Sequence, residues 1–167
     1  PEDRHKRGLI LDFSVMENLI LGRHNKSPFT KGRIILNFEK ATNFAKGLIQ
    51  EFNIKTPSKD APARHLSGGT QQRVIVAREF SRKPKLIIAS QPTRGLDVGA
   101  TEYVRKKLVE IRDGGCAVLM ISTDLDEIWA LSDRIAVMYE GEIVAIKDPN
   151  KTSELELGLL MAGGKRD

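Results

Sequence analysis

The chain has 167 residues, of which 40% are apolar and 29% charged, a composition typical of one soluble globular domain. The formal net charge is +5, but the basic residues are dispersed and few aromatic side chains lie among them, so we expect no nucleic-acid partner. The single cysteine, Cys116, excludes an internal disulfide and fits a reducing compartment. The longest stretch without Asp, Glu, Lys or Arg, residues 114–123, is too short to span a bilayer, and no signal peptide is expected.

Residues 1 to about 83 are predicted to be mostly helical. The clearest signal is the spacing of Ser14 and Glu17, which is that of a capping box ahead of an apolar segment. Gly, Pro, Asn and basic residues between the apolar segments indicate loops. The predicted helices run from Ser14 to about Leu21, from Asn37 to about Phe52 and from Gly69 to about Ser81, with loops at 23–33 and 53–66.

From Lys85 onward, short apolar runs alternate with helical patterns. Such alternation argues for a mostly parallel sheet with helices between its strands. The predicted strands are 86–89 and 117–122, the helices are 99–113 and 124–131, and the strands 134–139 and 142–146 form a hairpin joined at Glu140-Gly141.

The most informative stretch is residues 66–72, Leu-Ser-Gly-Gly-Thr-Gln-Gln, which we call the signature segment. Gly68 and Gly69 let the backbone approach a ligand closely, and the helix that follows points free N–H groups toward it. Ser67 adds a hydroxyl donor, so this helix start is suited to binding a phosphate. The alternative interpretation of the segment alone is a glycine-rich turn before an ordinary helix.

Two further motifs follow in order: residues 86–97, Leu-Ile-Ile-Ala-Ser-Gln-Pro-Thr-Arg-Gly-Leu-Asp, and residues 121–127, Ile-Ser-Thr-Asp-Leu-Asp-Glu. Together with the signature segment they resemble the ABC ATPase family over nearly the whole chain. In that resemblance, 66–72 corresponds to the family's signature sequence, 86–91 to its Walker B strand, 95–97 to its D-loop and 121–124 to its switch segment.

A finer resemblance is to the second ATPase cassette of the double-cassette subunits that energise bacterial sugar and nucleoside importers. Pro-Glu-Asp-Arg at 1–4 followed by Gly8-Leu9, and Pro-Thr-Arg-Gly-Leu-Asp-Val-Gly-Ala at 92–100, are similar to that subfamily. Ser90-Gln91-Pro92 looks more like the nucleoside branch. We therefore expect the chain to be the C-terminal part of such a cassette.

Several positions depart from the family. Ser90 and Gln91 stand where the Walker B strand ends in Asp-Glu, the residues that hold Mg²⁺ and orient or deprotonate the attacking water. Thr123 replaces the switch histidine, and Glu2 stands where the Q-loop glutamine falls. No Gly-x-x-x-x-Gly-Lys-Ser/Thr phosphate loop occurs in the sequence. We expect this cassette's own ATP site to be degenerate and the chain alone to bind ATP and Mg²⁺ weakly.

The resemblance implies an α/β fold of the P-loop NTPase type. Residues 1–83 would hold the Q-loop end, the helical subdomain and the signature helix, and 84–167 the C-terminal part of the ATPase core. The signature segment would complete an ATP site whose phosphate loop belongs to another cassette. Asp97 would lie at the cassette interface. The residues expected to bind nucleotide across that interface are Ser67, Gly68, Gly69, Thr70 and Gln71.

The same resemblance implies a peripheral protein at the cytoplasmic face of the cell membrane. Its partners would be another ATPase cassette, membrane-spanning permease subunits and, indirectly, a solute-binding protein. The transported solute is not encoded in these residues. A non-catalytic regulatory or interaction cassette is the main alternative. The C-terminal lobe of a DNA-repair or chromosome-maintenance ATPase is disfavoured, because the chain has neither the heptad-patterned helix nor the Asp-Glu pair.

No metal site is expected within the chain. His5, His24 and His65 fall in predicted loops without metal-ligand spacing. Asp124, Asp126 and Glu127 resemble a metal cluster, but they lie in the first turn of a predicted helix, where acids favour the macrodipole.

Overall fold

The structure is a computed structural model that describes residues 2–31 and 34–164. Pro1 and Arg33, which belong to the sequence patterns above, lie outside those residues. The chain divides into two units, Pro1–Ile121 and Ser122–Asp167. The functional boundary expected between residues 83 and 84 is not the boundary between these units and stays a prediction.

Four α-helices form the framework of the first unit, and each begins and ends within one residue of its predicted bounds. Helix α1 starts with the expected capping box, since Ser14 Oγ accepts a hydrogen bond from the Glu17 amide (3.2 Å) and Glu17 Oε2 accepts one from the Ser14 amide (2.8 Å). Asn37 caps α2. The helices are α1 (Val15–Ile20), α2 (Phe38–Glu51), α3 (Gly68–Phe80) and α4 (Val98–Asp113).

Small and branched apolar side chains fill the space between these helices. Helix α1 packs against α2 and α3, and α3 packs against α4. The apolar core residues contributed by α1, α2 and α3 that have no exposed surface are Val15, Leu19, Ala41, Ala45, Val74 and Ala77. This core holds α3, and with it the signature segment, in a fixed place.

The carbonyl of Phe52 ties three of the helices together at the end of α2. It accepts hydrogen bonds from Arg73 Nη1 on α3 (3.3 Å) and from Tyr103 Oη on α4 (3.1 Å). The Arg73 guanidinium lies 3.5 Å from the centre of the Tyr103 ring, an arrangement that adds a cation–π attraction. Burial raises the pKa of the Tyr103 hydroxyl, which therefore remains a donor at neutral pH.

The region predicted as a loop at 23–33 contains one strand of a short antiparallel hairpin. Strand β1 (Thr30–Lys31) pairs with β2 (Ile35–Leu36). Two other segments of the first unit each contain a single helical turn. One is a π-helical turn at Arg4–Gly8, before α1, and the other is a 3₁₀ turn at Ala63–His65, before α3.

Strands β3 (Leu86–Ser90) and β4 (Ala117–Ile121) pair in parallel, as the sequence predicts. The register runs from Leu86 opposite Ala117 to Ser90 opposite Ile121, so both strands end at the same edge. Cys116, just before β4, is buried. One face of this pair remains exposed, and its large side chains are Leu86, Ile88, Leu119 and Ile121.

The second unit consists of two helices and an antiparallel hairpin: α5 (Leu125–Leu131), β5 (Ile135–Tyr139), β6 (Glu142–Lys147) and α6 (Glu154–Met161). The hairpin turn has positive φ at both Glu140 and Gly141, as a two-residue turn of this kind requires. Trp129 packs against the apolar core of this unit, and its Nε1 donates to the Pro149 carbonyl (3.1 Å).

Helix α6 was not predicted, although Ser153 caps it by accepting a hydrogen bond from the Glu156 amide (3.2 Å). Its Leu157 and Leu160 pack with Ile135 and Val137 in a small core. Across the part of the chain that the structure describes, no helix is both long enough and apolar enough to cross a membrane.

Candidate functional site

Ser67 begins α3 and shapes the signature segment. Its Oγ accepts a hydrogen bond from the Thr70 amide (3.3 Å), and its carbonyl accepts one from the Gln71 amide (2.9 Å). The amides of Gly68 and Gly69 precede that first intrahelical bond, so they belong to the donors that a helix start leaves free. Ser67 is exposed and both glycines are half-buried. An anion at this helix start would meet the amides of Gly68 and Gly69 and, once its hydroxyl turns away from Thr70 Oγ1, Ser67.

Gly69 is needed for the packing of two helix starts. A Cβ at position 69 would lie 2.9 Å from the Cβ of Ala100 and 3.6 Å from Asp97 Oδ2. Carbon atoms of side chains do not approach to 2.9 Å without displacement. The start of α3 thus lies directly against the start of α4, and the absence of a side chain permits it.

Thr70 and Gln71 are directed into the protein rather than toward a ligand. Thr70 is buried, and its Oγ1 accepts a hydrogen bond from Ser67 Oγ (3.0 Å). Gln71 is also buried: its Nε2 donates to the Ala63 carbonyl (3.1 Å), and its Oε1 lies 2.8 Å from His5 Nε2. The expected direct contact of the Gln71 side chain with a phosphate is not available in this conformation, because both of its polar atoms are already engaged.

Ser90 and Gln91 lie where β3 ends. Gln91 has a left-handed backbone conformation (φ 48°), and its amide donates to the Ile121 carbonyl (2.7 Å). A non-glycine residue in this region costs about 1 kcal/mol or more, and such residues recur where a side chain is aimed at a functional site. Gln72 connects this edge to α3, since its Nε2 donates to the Pro92 carbonyl (2.8 Å).

Asp97 caps α4 through Oδ1, which accepts a hydrogen bond from the Ala100 amide (2.8 Å). The residue is exposed. Because Gly69 lies beside it, the carboxylate of Asp97 and the signature segment share one surface of the first unit.

A third segment, residues 2–8, reaches the same surface; we call it the N-terminal segment. Glu2 is paired with Arg94, with 2.6 Å between Oε1 and Nη1. Arg4 donates to the carbonyls of Arg94 and Gly95. The motifs that contain Arg4 and Arg94 in the sequence do not predict this contact. Arg4 and Arg94 are ninety residues apart in the sequence, and only the fold shows that they are in contact.

Thr123 lies in the second unit, where it is exposed, two residues beyond β4. Asp124 caps α5 by accepting a hydrogen bond from the Glu127 amide (3.2 Å). Asp126 and Glu127 occupy the first turn of that helix, as expected from the macrodipole argument. Of the three histidines, His5 contacts Gln71, and all three are exposed.

These residues alone form neither a Mg²⁺ site nor a complete ATP site. In the described residues no three His, Cys, Asp or Glu side chains are grouped so that they could hold a metal ion. Ser90 and Gln91 offer neutral oxygens where a Mg²⁺ site needs at least one carboxylate. The signature segment fits one end of a phosphate chain, through the Ser67 hydroxyl and the two glycine amides.

The chain is similar to curated proteins that are named as import ATP-binding proteins. No protein-family model matches it. It is 53% identical over 163 residues to the guanosine import ATP-binding protein NupO of Bacillus subtilis and 49% identical over 164 residues to the nucleoside import ATP-binding protein NupA of Lactococcus lactis. A ribose import ATP-binding protein, RbsA of Lactococcus lactis, is 39% identical over 167 residues. Each alignment includes 98% of the chain but 32–33% of the relative. The chain thus spans about a third of the length of the curated relatives it matches.

Solved structures agree on the fold. A dimeric ATP-binding cassette in a post-hydrolysis state, bound to ADP and Pi, matches with a TM-score of 0.68 and 24% identity. A dimeric bacterial ABC transporter cassette matches with a TM-score of 0.66 and 25% identity. Both alignments cover 84% of the chain and 59% of the solved chain. The fold is therefore that of an ABC ATPase cassette of the P-loop NTPase type, of which these residues form a part.

Proposed function

We propose that this chain, which is homologous to nucleoside and sugar import ATP-binding proteins and has the fold of an ABC ATPase cassette, belongs to the ATP-binding subunit of an importer. The observation that carries the proposal is the start of α3. There, Ser67 and two glycine amides are accessible, while Asp97 lies on the same surface. This arrangement suits the binding of a phosphate held by a second cassette.

In the proposed composite site, another cassette supplies the phosphate loop and holds ATP with Mg²⁺, whose positive charge offsets the charge that develops on the phosphates. Ser67 Oγ and the amides of Gly68 and Gly69 bind the γ-phosphate, aided by the positive end of the α3 dipole. Thr70 and Gln71 support the site from behind, by fixing Ser67 and the turn at Ala63–His65.

The chain's own cassette is proposed to hold the weaker of two sites. Ser90 is neutral, and the amide of Gln91 cannot accept a proton at neutral pH, so neither replaces the family's Asp-Glu pair. Thr123 cannot act as the switch histidine does. The two ATP sites of the assembled transporter are therefore unequal, and the signature segment serves the active one.

The wider setting follows from the same homology. We propose a peripheral location at the cytoplasmic face of the cell membrane, with membrane-spanning permease subunits as partners and a solute-binding protein acting indirectly. Nucleosides are placed ahead of simple sugars as the solute, because identity is 53% and 49% to two relatives named for nucleosides and 39% to one named for ribose. The C-terminal position within a double-cassette subunit also remains part of this proposal.

The decisive experiment compares charge and size at position 69 in the assembled transporter. Gly69→Asp and Gly69→Asn add side chains of nearly equal size, so the clash with Ala100 is common to both and is relieved by making each in an Ala100→Gly background. Only the aspartate places a negative charge beside the γ-phosphate, where like charges in a water-poor interface repel strongly. We expect Gly69→Asp to abolish ATP-driven uptake and Gly69→Asn to retain part of it.

Gln91→Ala provides the opposite comparison. Because no general base is present at position 91, we expect uptake and ATPase rates within about twofold of the wild type, whereas loss of a working base costs about 10²- to 10⁴-fold. Uptake into proteoliposomes and phosphate release measure both. If Gln91→Ala proved as damaging as Gly69→Asp, the site at Gln91 would be catalytic and the assignment of roles would be wrong.

A non-catalytic regulatory cassette is the second candidate, favoured by the absence of acid at positions 90 and 91. The two candidate functions differ in one expected result. If the cassette is regulatory, Gly69→Asp leaves ATP hydrolysis unchanged and alters only its regulation.

A further inference from the structure

We infer that Arg4 is a positioning residue, which clamps the turn at residues 93–97 against the start of α3. We call this the D-loop turn. The inference rests on the proposed function for its consequence, but the clamp itself is read from contacts within the first unit.

The guanidinium of Arg4 bridges two successive carbonyl groups. Nη1 donates to the Arg94 carbonyl (2.9 Å) and Nη2 to the Gly95 carbonyl (3.4 Å). Both hydrogen bonds lie where solvent reaches them, while Nε is shielded from solvent and has no hydrogen-bond partner in the described part of the chain. The charge of the guanidinium strengthens the two bonds relative to neutral ones. A planar fork with several donors is the feature that distinguishes arginine from lysine at such a site.

The same guanidinium covers the first residue of α3. A Cβ at Gly68 would lie 3.0 Å from Arg4 Nη2, closer than an undisturbed contact allows. Arg4 therefore touches the signature segment and the D-loop turn at once, and glycine at position 68 makes the approach possible.

Two further contacts hold Arg4 in place. Asp3 Oδ1 accepts hydrogen bonds from the amides of His5 (2.9 Å) and Lys6 (3.0 Å), and the Lys6 amide is the main reason why the pKa of this carboxyl lies below its usual value. His5 Nε2 lies 2.8 Å from Gln71 Oε1 on α3. The turn that carries Arg4 is thus capped at its start and attached to the signature helix.

A second contact joins the N-terminal segment to the D-loop turn: Glu2 Oε1 lies 2.6 Å from Arg94 Nη1 in an ion pair. Both side chains are more than half exposed, so solvent screens this pair and its own contribution is small. The hydrogen bonds from Arg4 to the two carbonyls contribute more than this ion pair to holding the N-terminal segment against the D-loop turn.

The consequence concerns Asp97. The D-loop turn ends at Asp97, whose carboxylate caps α4 and faces Gly69. By fixing the turn, Arg4 keeps Asp97 and the signature glycines in one arrangement on the surface proposed to meet the other cassette. Displacement of the N-terminal segment is transmitted to that surface through Arg4, which itself touches no nucleotide.

The test uses Arg4→Ala and Arg4→Lys in the assembled transporter, with Arg7→Ala as the matched control in the same turn. Lysine keeps the charge but donates from a single point, so it cannot bridge both carbonyls. We expect kcat for ATP hydrolysis to fall about tenfold in both Arg4 variants, since small misplacements of a site cost such factors, while KM for ATP changes less than about twofold and Arg7→Ala matches the wild type. An unchanged kcat in both Arg4 variants overturns the inference.

Amide hydrogen exchange at residues 93–100 separates this inference from the proposed function. Faster exchange there in the Arg4 variants, with Arg7→Ala unchanged and the thermal midpoint preserved, supports the clamp even if the wild-type assembly showed no ATP-driven uptake, a result that would defeat only the proposed function. Unchanged exchange overturns the clamp. If Arg4→Ala fails to fold, Arg4→Lys decides.

Discussion

Gly69 and Ala100 are in tight contact at the surface proposed to bind nucleotide, because a Cβ added at position 69 would lie 2.9 Å from the Cβ of Ala100. In an ordinary helix, replacing glycine by alanine stabilises the protein by up to about 1 kcal/mol. Here we expect Gly69→Ala to destabilise the subunit by about 1–3 kcal/mol, because overpacking outweighs helix propensity.

Ala100→Gly is the partner variant for this prediction. It removes the obstructing methyl group, so the double variant should recover part of the loss, with a coupling energy of about 1 kcal/mol or more for residues in contact. Urea unfolding of the four proteins measures it. Strict additivity of the two single changes would show that the two helix starts are not in tight contact.

The roles of single residues were predictable where they depend on neighbours in sequence. Ser67 and Asp97 act as caps because their side chains reach amides three residues later. The inward direction of Gln71 was not predictable, because it depends on His5 and Ala63, which the fold brings from elsewhere. Arg4 was missed for the same reason.

At the level of elements, caps and apolar periodicity predicted the longer helices and the parallel strand pair within a residue or so. The short hairpin of β1 and β2 was missed, since two-residue strands have no periodicity to detect. Helix α6 was missed although Ser153 and Glu156 have capping spacing, because its apolar residues at 155, 157 and 159 alternate instead of recurring every three or four positions.

The exposed face of β3 and β4 leads to a prediction about self-association. Both faces of a parallel sheet are normally covered, yet Ile88 and Leu119 are 59% and 51% exposed. We expect the chain alone to associate as its concentration rises, and Ile88→Thr with Leu119→Thr to reduce this while preserving strand propensity.

Light scattering over a hundredfold range of concentration measures that effect, in the presence of about 0.15 M salt to screen charges. Ile87→Thr is the control, because Ile87 lies on the opposite, half-buried face and its replacement should lower stability without reducing association. A monodisperse chain at every concentration would contradict the prediction.

At the scale of the whole molecule, we propose that the chain supplies one surface of a shared ATP site. The phosphate loop, whose amides and lysine supply most phosphate contacts in this fold class, is not in the sequence. We expect the chain alone to hydrolyse no ATP above background and to bind Mg-ATP weakly. Titration calorimetry measures the binding, and a micromolar dissociation constant would contradict this expectation.

The contact of Arg4 with Arg94 and Gly95 also bears on how the chain folds. Its two hydrogen bonds join Arg4 to residues that lie 90 and 91 positions later in the chain. Forming this contact therefore encloses α1, α2, α3 and β3 within one long loop. The conformational entropy lost on closing a loop grows with its length and is offset only by the contacts that form where the ends meet, and contacts of large sequence separation slow folding. The helices α1 to α3 can pack from nearer neighbours first, which makes the clamp a late contact in folding and places the surface around Asp97 among the last parts of the first unit to acquire its native shape.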